Sequence, residues 1–366
     1  MTAKDIHKNP FSQETITKLD IFEAYVREWL PVFIQYPNFN EVNICDFFAG
    51  EGRDPAGNLG SPLRILKVIQ EYKNSIIEKQ IKINVIFNEL KKNKFTAMKS
   101  AVEKELLSLN MNNQLNVEFY NDEFQKLFRS KANKIKKMPN LIFLDQYGIK
   151  QITQEVFATI ENFSRTDFMF FIASSYFNRF MDTKEFKNYF PDLDIGKIKD
   201  IKYKDSHRFI INYYRSKLPD YSKTRLYPFT IRKTQNIYGL IFGSKNVLGI
   251  QKFLEVAWDK NRINGEANFD IDEDIENQQA VLFPEMKKKT KIEIFQDDLK
   301  NYILSLKTVT NRQIYDYTLN NGFLPSHASE YIRKLKRENV IKFKGHSKIS
   351  YDKCYRNPEK VKFEVV

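Results

Sequence analysis

The segment Asn43-Ile44-Cys45-Asp46-Phe47-Phe48-Ala49-Gly50-Glu51-Gly52-Arg53, followed by Gly57, Gly60, Ser61 and Pro62, decides how the N-terminal part of this chain is read. Its first half is a short apolar run of the kind that forms a buried strand, and its second half opens into glycines. Gly50 and Gly52 can adopt positive φ and admit a ligand where a Cβ would stand in the way. Ser61-Pro62 is a helix-start signal, a side-chain cap followed by proline in the first turn. Strand, glycine turn and helix N-terminus in that order make a crevice of the kind that holds nucleotides. A lone G-x-G is a weak signal, so the case depends on the strands beyond it.

Four further apolar runs come after this segment, each ending in polar residues. Ile83 to Phe87 ends at Asn88 and Glu89; Leu115 to Tyr120 ends at Asn121 and Asp122. Leu141 to Leu144 ends at Asp145-Gln146-Tyr147-Gly148, and Phe168 to Ile172 ends at Ala173-Ser174-Ser175. Helical patterns separate them, including one with Phe95, Met98, Val102 and Leu106 on one face. Five short apolar strands alternating with helices predict a parallel sheet buried on both faces, with its ligand site at the carboxyl ends of the strands. Before them, Leu19, Phe22, Val26, Trp29 and Phe33 are spaced as an amphipathic helix over residues 15–35 that lies on this domain.

Residues 176–225 break the alternation with mixed aromatic and basic side chains, among them Tyr176, Phe177, Arg179, Phe180, Lys184 and Lys187. Such an insertion suits either a helical lid with its own small core or a surface that stacks bases and holds phosphates. Tyr227 to Arg232 and Ile237 to Phe242 then flank a polar turn and predict a hairpin at the sheet's edge. A helix over Asn246 to Lys260 comes next. Residues 263–286 are acidic and read as a linker, which makes 1–262 one domain and 287–366 another.

In the last stretch, apolar periodicity predicts a helix through Ile294, Leu299 and Ile303, a second over Asn311 to Leu319, and a third from Pro325 through Arg337. Val340 to Phe343 and Ile349 to Tyr351 complete a small ribbon around Gly345-His346. Three helices and a β-wing describe a winged helix-turn-helix. Its third helix carries Arg333, Lys334, Lys336 and Arg337, and its wing carries Lys342, Lys344 and Lys348, the residues expected to meet nucleic acid. A winged helix used for protein contacts is the alternative.

Composition agrees with this division. Of 366 residues, 42% are hydrophobic and 14% aromatic, a globular profile with room for two or three domains. The net charge is +13. Residues 285–366 hold 18 Lys+Arg against 10 Asp+Glu, or +8, leaving +5 for the first 284. That asymmetry points to nucleic acid, although a genome rich in lysine codons would also raise the total. No apolar run reaches the roughly 18–20 residues that span a bilayer, and Met1 to Glu14 carries no secretory h-region. Cys45 and Cys354 are the only cysteines, too few for a disulfide framework or a thiolate zinc site, which suits a reducing cytoplasm. The four histidines show no metal-ligand spacing, and no metal site is expected.

Taken together, the strand ends resemble the Rossmann-like methyltransferase fold, a mostly parallel seven-stranded α/β sheet that binds S-adenosylmethionine. The resemblance implies that Asp46, Gly50 and Gly52 underlie the cofactor and Glu89 accepts from its ribose hydroxyls, with Asn121 or Asp122 contacting its adenine amine. An NAD site would expect G-x-G-x-x-G, whereas the third residue after Gly52 is Pro55. Asp145-Gln146-Tyr147-Gly148 is similar to the acid-Pro-Pro-aromatic motif of amine methyltransferases, without its prolines. By that likeness Asp145 accepts from a target amine and Tyr147 stacks on a base, as the two catalytic candidates; a solvated strand-end acid is the other reading of Asp145.

More narrowly, Lys18-Leu19 to Trp29-Leu30, Asp46-x-Phe48-Ala49-Gly50-x-Gly52, Gly60-Ser61-Pro62-Leu63 and Leu144-Asp145-x-Tyr147-Gly148 resemble the three-Cys-motif partner (TcmP) family. Glu51 and Gln146 stand where that family tends to have proline. The resemblance implies a radical-SAM-like three-Cys-motif partner and a phage-defence, mobile-element or DNA-modification and repair setting. The functions in view are therefore a methyltransferase acting on DNA or, second, RNA; a non-catalytic DNA-binding adaptor for the partner; and a defence nuclease using Asp46, Glu51, Asp54 and Asp145.

Overall fold

The computed structural model describes residues 10–35, 39–146, 148, 150–173, 183, 190, 192–193, 205–233, 236–275 and 288–366. Tyr147 and most of the aromatic-basic insertion lie outside them, as do residues 276–286 of the acidic stretch. Contacts divide the chain into two compact units, Met1–Gly249 and Ile250–Val366.

The first unit is a seven-stranded sheet in the order β3-β2-β1-β4-β5-β7-β6. Its strands are β1 (Glu41–Asp46), β2 (Lys82–Asn88), β3 (Leu115–Tyr120), β4 (Asn140–Leu144), β5 (Thr166–Ala173), β6 (Arg225–Lys233) and β7 (Asn236–Ser244). β1 to β5 run parallel. β7 inserts antiparallel between β5 and β6, as the expected hairpin. β3 departs from the expected two-sided burial: it is an edge strand and most of its residues are only half-buried. The chain steps outward from β1 to β2 and β3, then returns to β4 on the other side of β1. That reversal leaves a crevice between the carboxyl ends of β1 and β4.

One helix layer includes α1 (Gln13–Gln35), α2 (Ser61–Glu71) and α4 (Lys92–Leu109), with the short α3 (Lys73–Glu78) between the last two. Phe22 of α1 stacks on Phe143 at 3.9 Å and Tyr25 meets Phe242 edge-on at 4.9 Å. Against the opposite face lie α5 (Phe124–Ile135), α6 (Gln154–Glu161) and the helix Ser206–Ser216, through Phe124, Phe128, Phe157 and Tyr214. Each such ring removed from water contributes about 2–3 kcal/mol, so the apolar strand faces dominate the stability of this unit.

A row of polar side chains crosses this apolar sheet. Asn116, Asn84, Asn43, Asn140 and Thr166 occupy one register line across β3, β2, β1, β4 and β5. Asn43 Nδ2 donates to Asn140 Oδ1 at 2.8 Å, Asn84 Nδ2 to Asn43 Oδ1 at 3.1 Å, and Asn140 Nδ2 to the Thr166 hydroxyl at 2.9 Å. Because a one-residue slip breaks the whole row, it fixes the strand register.

In the second unit, Trp258 sends its indole N–H to the Gly322 carbonyl at 2.9 Å and packs on Phe323 and His327. Residues 263–275 depart from the expected linker. Asn264, Ala267 and Ile271 are fully buried, and Lys291 Nζ binds the Asn264 carbonyl and Glu266. Asparagine side chains rather than apolar periodicity hold this turn, with Asn261 Nδ2 donating to the carbonyls of Ala267 and Phe269.

The three expected helices are Lys291–Leu306, Asn311–Asn320 and Pro325–Arg337. Capping boxes at Thr290/Glu293 and Thr310/Gln313 start the first two. The wing differs from the expected ribbon. β9 (Ile341–Lys342) pairs with β10 (Lys362–Val365), not with 349–351, and β10 pairs in turn with β8 (Thr308–Thr310). Phe363 is the reason: it is fully buried and its ring lies 4.7 Å from Phe343, so the last strand fills the place.

Candidate functional site

β1 ends at Asp46, and the chain then turns through Gly50 at φ +67° and Gly52 at φ +84°. A Cβ on Gly50 would meet nothing within 4 Å, so open space lies above that backbone. Gly52 is tight instead: a Cβ there would stand 3.4 Å from Met98 and Ala101 of α4. Residues 52–60 close on themselves as a small hairpin, with Gly60 N–H donating to the Gly52 carbonyl at 2.7 Å. Asp54 organises that hairpin by accepting from Asn58 N and Nδ2, both at 2.7 Å. The helix-start reading shifts by one residue. Gly60 is the N-cap, and Ser61 is the first residue of α2, buried and without a side-chain cap.

Asp46 is fully buried. Its Oδ1 accepts from Phe48 N at 3.1 Å, while Oδ2 has no hydrogen-bond partner among the described residues. Burial raises its pKa to about 7, with the nearby Asp145 and Glu89 carboxylates adding to the rise and Ser61 and Phe48 opposing it. Glu89 stands at the end of β2 and folds back toward the glycine turn. Its Oε2 accepts from Gly50 N at 3.1 Å and its Oε1 from Lys91 N at 2.8 Å. A carboxylate has about four acceptor positions, so two remain for a ligand.

The end of β3 divides its expected roles. Asn121 donates to the carbonyls of Glu89 and Leu90 at 2.7 and 2.8 Å, which ties two strand-end loops together. Asp122 keeps its side chain 45% exposed at the rim, with Lys126 at 3.8 Å. Asn88, which local pattern did not single out, is the pin of this region. Its buried amide donates to the Phe47 and Asp122 carbonyls and its Oδ1 accepts from Asp122 N. Glu51 pairs with the buried Lys94 of α4 at 3.5 Å.

β4 ends at Asp145, whose carboxylate is paired with Lys18 of α1. Gln146 is buried and bridges two segments, donating to the Phe171 carbonyl at 3.2 Å and accepting from Gln151 N at 2.9 Å. A proline there would offer neither bond. Asp46, Gly50, Gly52, Glu89, Asn121 and Asp122 therefore converge, and Asp145 faces the same crevice with a lysine attached. Among the described residues, no group of three or more His, Cys, Asp or Glu is placed to hold a metal.

In the second unit, Arg333, Lys334, Lys336 and Arg337 are exposed on the third helix around its buried stripe of Ala328, Tyr331, Ile332 and Leu335. No carboxylate among the described residues pairs with Arg333, Arg337 or Lys344. Lys336 lies over Phe343 at 4.2 Å. Lys342 and Lys348 are already engaged with Glu364 and Glu359.

Comparison with known proteins fits this geometry in part. The family model described as a GMT-like wHTH domain matches residues 268–346. No curated protein matches. Among solved structures, the complex of Trm1 from Pyrococcus horikoshii with S-adenosyl-L-methionine aligns at 11% identity and a TM-score of 0.40. The alignment covers 70% of this chain and 61% of that one. At that similarity it bears on neither ligand nor reaction. The fold class rests on the seven-stranded topology and the winged helix-turn-helix themselves.

Proposed function

We propose that this chain binds S-adenosylmethionine at the strand ends and acts as a methyltransferase-like protein on nucleic acid, DNA ahead of RNA. The observation that carries the reading is the joining of two strand ends. Gly50, left-handed and with open space above it, is hydrogen-bonded at 3.1 Å to the Glu89 carboxylate. A bare glycine turn accommodates a flat ligand, and the two remaining acceptor positions of Glu89 match a vicinal diol. Asp122 at the rim adds an exposed acceptor suited to an aromatic amine, while the buried Asp46 lies beneath the turn. When bound, the cofactor supplies an electrophilic methyl group on sulfonium sulfur.

Asp145 and Tyr147 are the target-side candidates, with Tyr147 stacking on an extruded base. The basic third helix is the surface for duplex phosphates and groove edges. The three-Cys-motif partner and the defence or mobile-element setting rest on the sequence motifs alone. A non-catalytic DNA-binding adaptor is the second reading, and the pairing of Asp145 with Lys18 favours it, since that carboxylate is already engaged within the chain. The nuclease reading loses its metal carboxylates, because Asp54 closes the hairpin and Glu51 pairs with Lys94.

Isothermal titration of the full chain with S-adenosylmethionine and S-adenosylhomocysteine, with and without duplex DNA, tests the proposal. Heat of binding is expected with both ligands, weakened at least about tenfold by Glu89→Ala through loss of charge-assisted hydrogen bonds. Absence of heat in every arm would sink it.

A further inference from the structure

The start of α1 and the residues just before it cross the strand ends that form the crevice, and two long-range polar ties are among the contacts that hold them there. Phe11 N–H donates to Asp54 Oδ2 of the 52–60 hairpin at 2.6 Å. Seven residues on, the Lys18 ammonium pairs with Asp145 Oδ2 at the end of β4. Lys18 also lies over Phe171 of β5, its nitrogen 4.9 Å from the ring centroid, so an aromatic wall backs the pair. The two side chains keep only 16% and 24% of their exposure, so water screens the pair less than one on an open surface.

Immediately after Lys18 the attachment changes character. Leu19, Phe22, Tyr25 and Val26 are buried, and Phe22 stacks on Phe143. Residues 11–18, among which Thr17 alone is buried and Phe11 and Ile16 are half-buried, therefore form a more lightly packed strap continuous with a deeply packed anchor. Segments held by few buried apolar contacts open locally at lower free energy than the core. The strap can lift while the remainder of α1 stays docked.

We propose that Lys18 is a resident surrogate for the target's amine, and that a target bearing an amine or comparable hydrogen-bond donor enters by displacing it from Asp145 and lifting residues 11–18. This rests on the reading of the crevice as the target site. A carboxylate only accepts hydrogen bonds, so the group that replaces an ammonium on Asp145 must donate. With Lys18 gone, Asp145 is left an unpaired carboxylate with Glu89 nearby, both acting on the buried Asp46, a setting that repels phosphate and carboxylate. An anion would instead join Lys18 and leave the strap closed. Lys18 thus selects the chemical class of the target as well as covering the site.

The test uses the full chain and its Lys18→Met, Lys18→Arg and Asp145→Asn variants. Carbodiimide alone activates the Asp145 carboxyl; attack by neutral Lys18 Nζ forms an amide and releases the reagent as its urea. A Lys18–Asp145 cross-linked peptide is expected in wild type by mass spectrometry, and none in Asp145→Asn. With glycine ethyl ester as the competing amine, Asp145 should label about tenfold faster in Lys18→Met than in wild type, and at the wild-type rate in Lys18→Arg. Amide exchange over 12–20 should rise about tenfold in Lys18→Met while 22–34 stay slow. Equal labelling of Asp145 in wild type and Lys18→Met, no cross-link, or unchanged exchange over 12–20 would each overturn the proposal. Titration of the same proteins with S-adenosylmethionine reports separately: silence in all of them removes the cofactor reading, while labelling still decides the strap.

Discussion

Asp46 places a carboxyl with no exposed surface and one unpartnered oxygen beneath a glycine turn, and its protonation follows from that placement. In the unfolded chain this group gives up its proton near pH 4, whereas in the fold burial first, and the Asp145 and Glu89 charges second, hold it until about 7. The folded state therefore binds the extra proton. Its contribution to stability is complete below about pH 4 and is lost as pH rises through about 7. Asp167 adds to the trend below about pH 6 through burial, which outweighs the hydrogen bonds it accepts from Ser244 and Tyr25. Asp46→Asn keeps an acceptor for Phe48 N–H and removes the titration. Urea unfolding should find that variant more stable than wild type at pH 8, by on the order of 2–4 kcal/mol, with the gain vanishing at pH 4. A gain that is the same at both pH values would contradict the assignment.

At the scale of elements, the asparagine row shows how a polar feature can serve an apolar sheet. Asn43 is buried between Asn84 and Asn140, giving a hydrogen bond to one and taking one from the other. Asn43→Val strands a buried donor and acceptor on its neighbours, which costs about 2–4 kcal/mol in urea unfolding. Changing Asn43, Asn84 and Asn140 together to Val removes the three central groups along with the bonds among them, leaving Asn116, Glu41 and Thr166 at the ends of the row. The triple variant should lose less than the sum of the three single losses. Strict additivity would mean the side chains act independently and do not form a row. The same contrast applies at Gln146, where a side chain joins two segments at a position expected to bear on chemistry.

For the molecule as a whole, charge is divided as composition indicated, +8 in residues 285–366 against +5 in the other 284. The structure sorts those cations. Arg333, Arg337 and Lys344 are exposed with no carboxylate partner among the described residues, while Lys342 and Lys348 pair with Glu364 and Glu359. Duplex affinity measured against salt should show this order. Arg333→Ala with Arg337→Ala should flatten the log–log slope by about 2, and Lys348→Ala by well under 1. Equal effects from the two sets would indicate that the recognition helix is not the contact surface.

What the sequence determined by itself was everything set by local pattern. Apolar runs ending in Asp46, Glu89, Asp122 and Asp145 located the strand ends, glycines located the turn, and helical periodicity with Pro325 and the basic run located the third helix. These signals are legible because period and turn chemistry act over a few residues. Tertiary structure alone decided which acids are open and which are spent. Lys18 and Asp145 lie 127 residues apart, Asn43 and Asn140 lie 97 apart, and β10 takes the wing position expected for 349–351. Local period does not specify such pairings, because they exist only once the sheet has brought its strands into register.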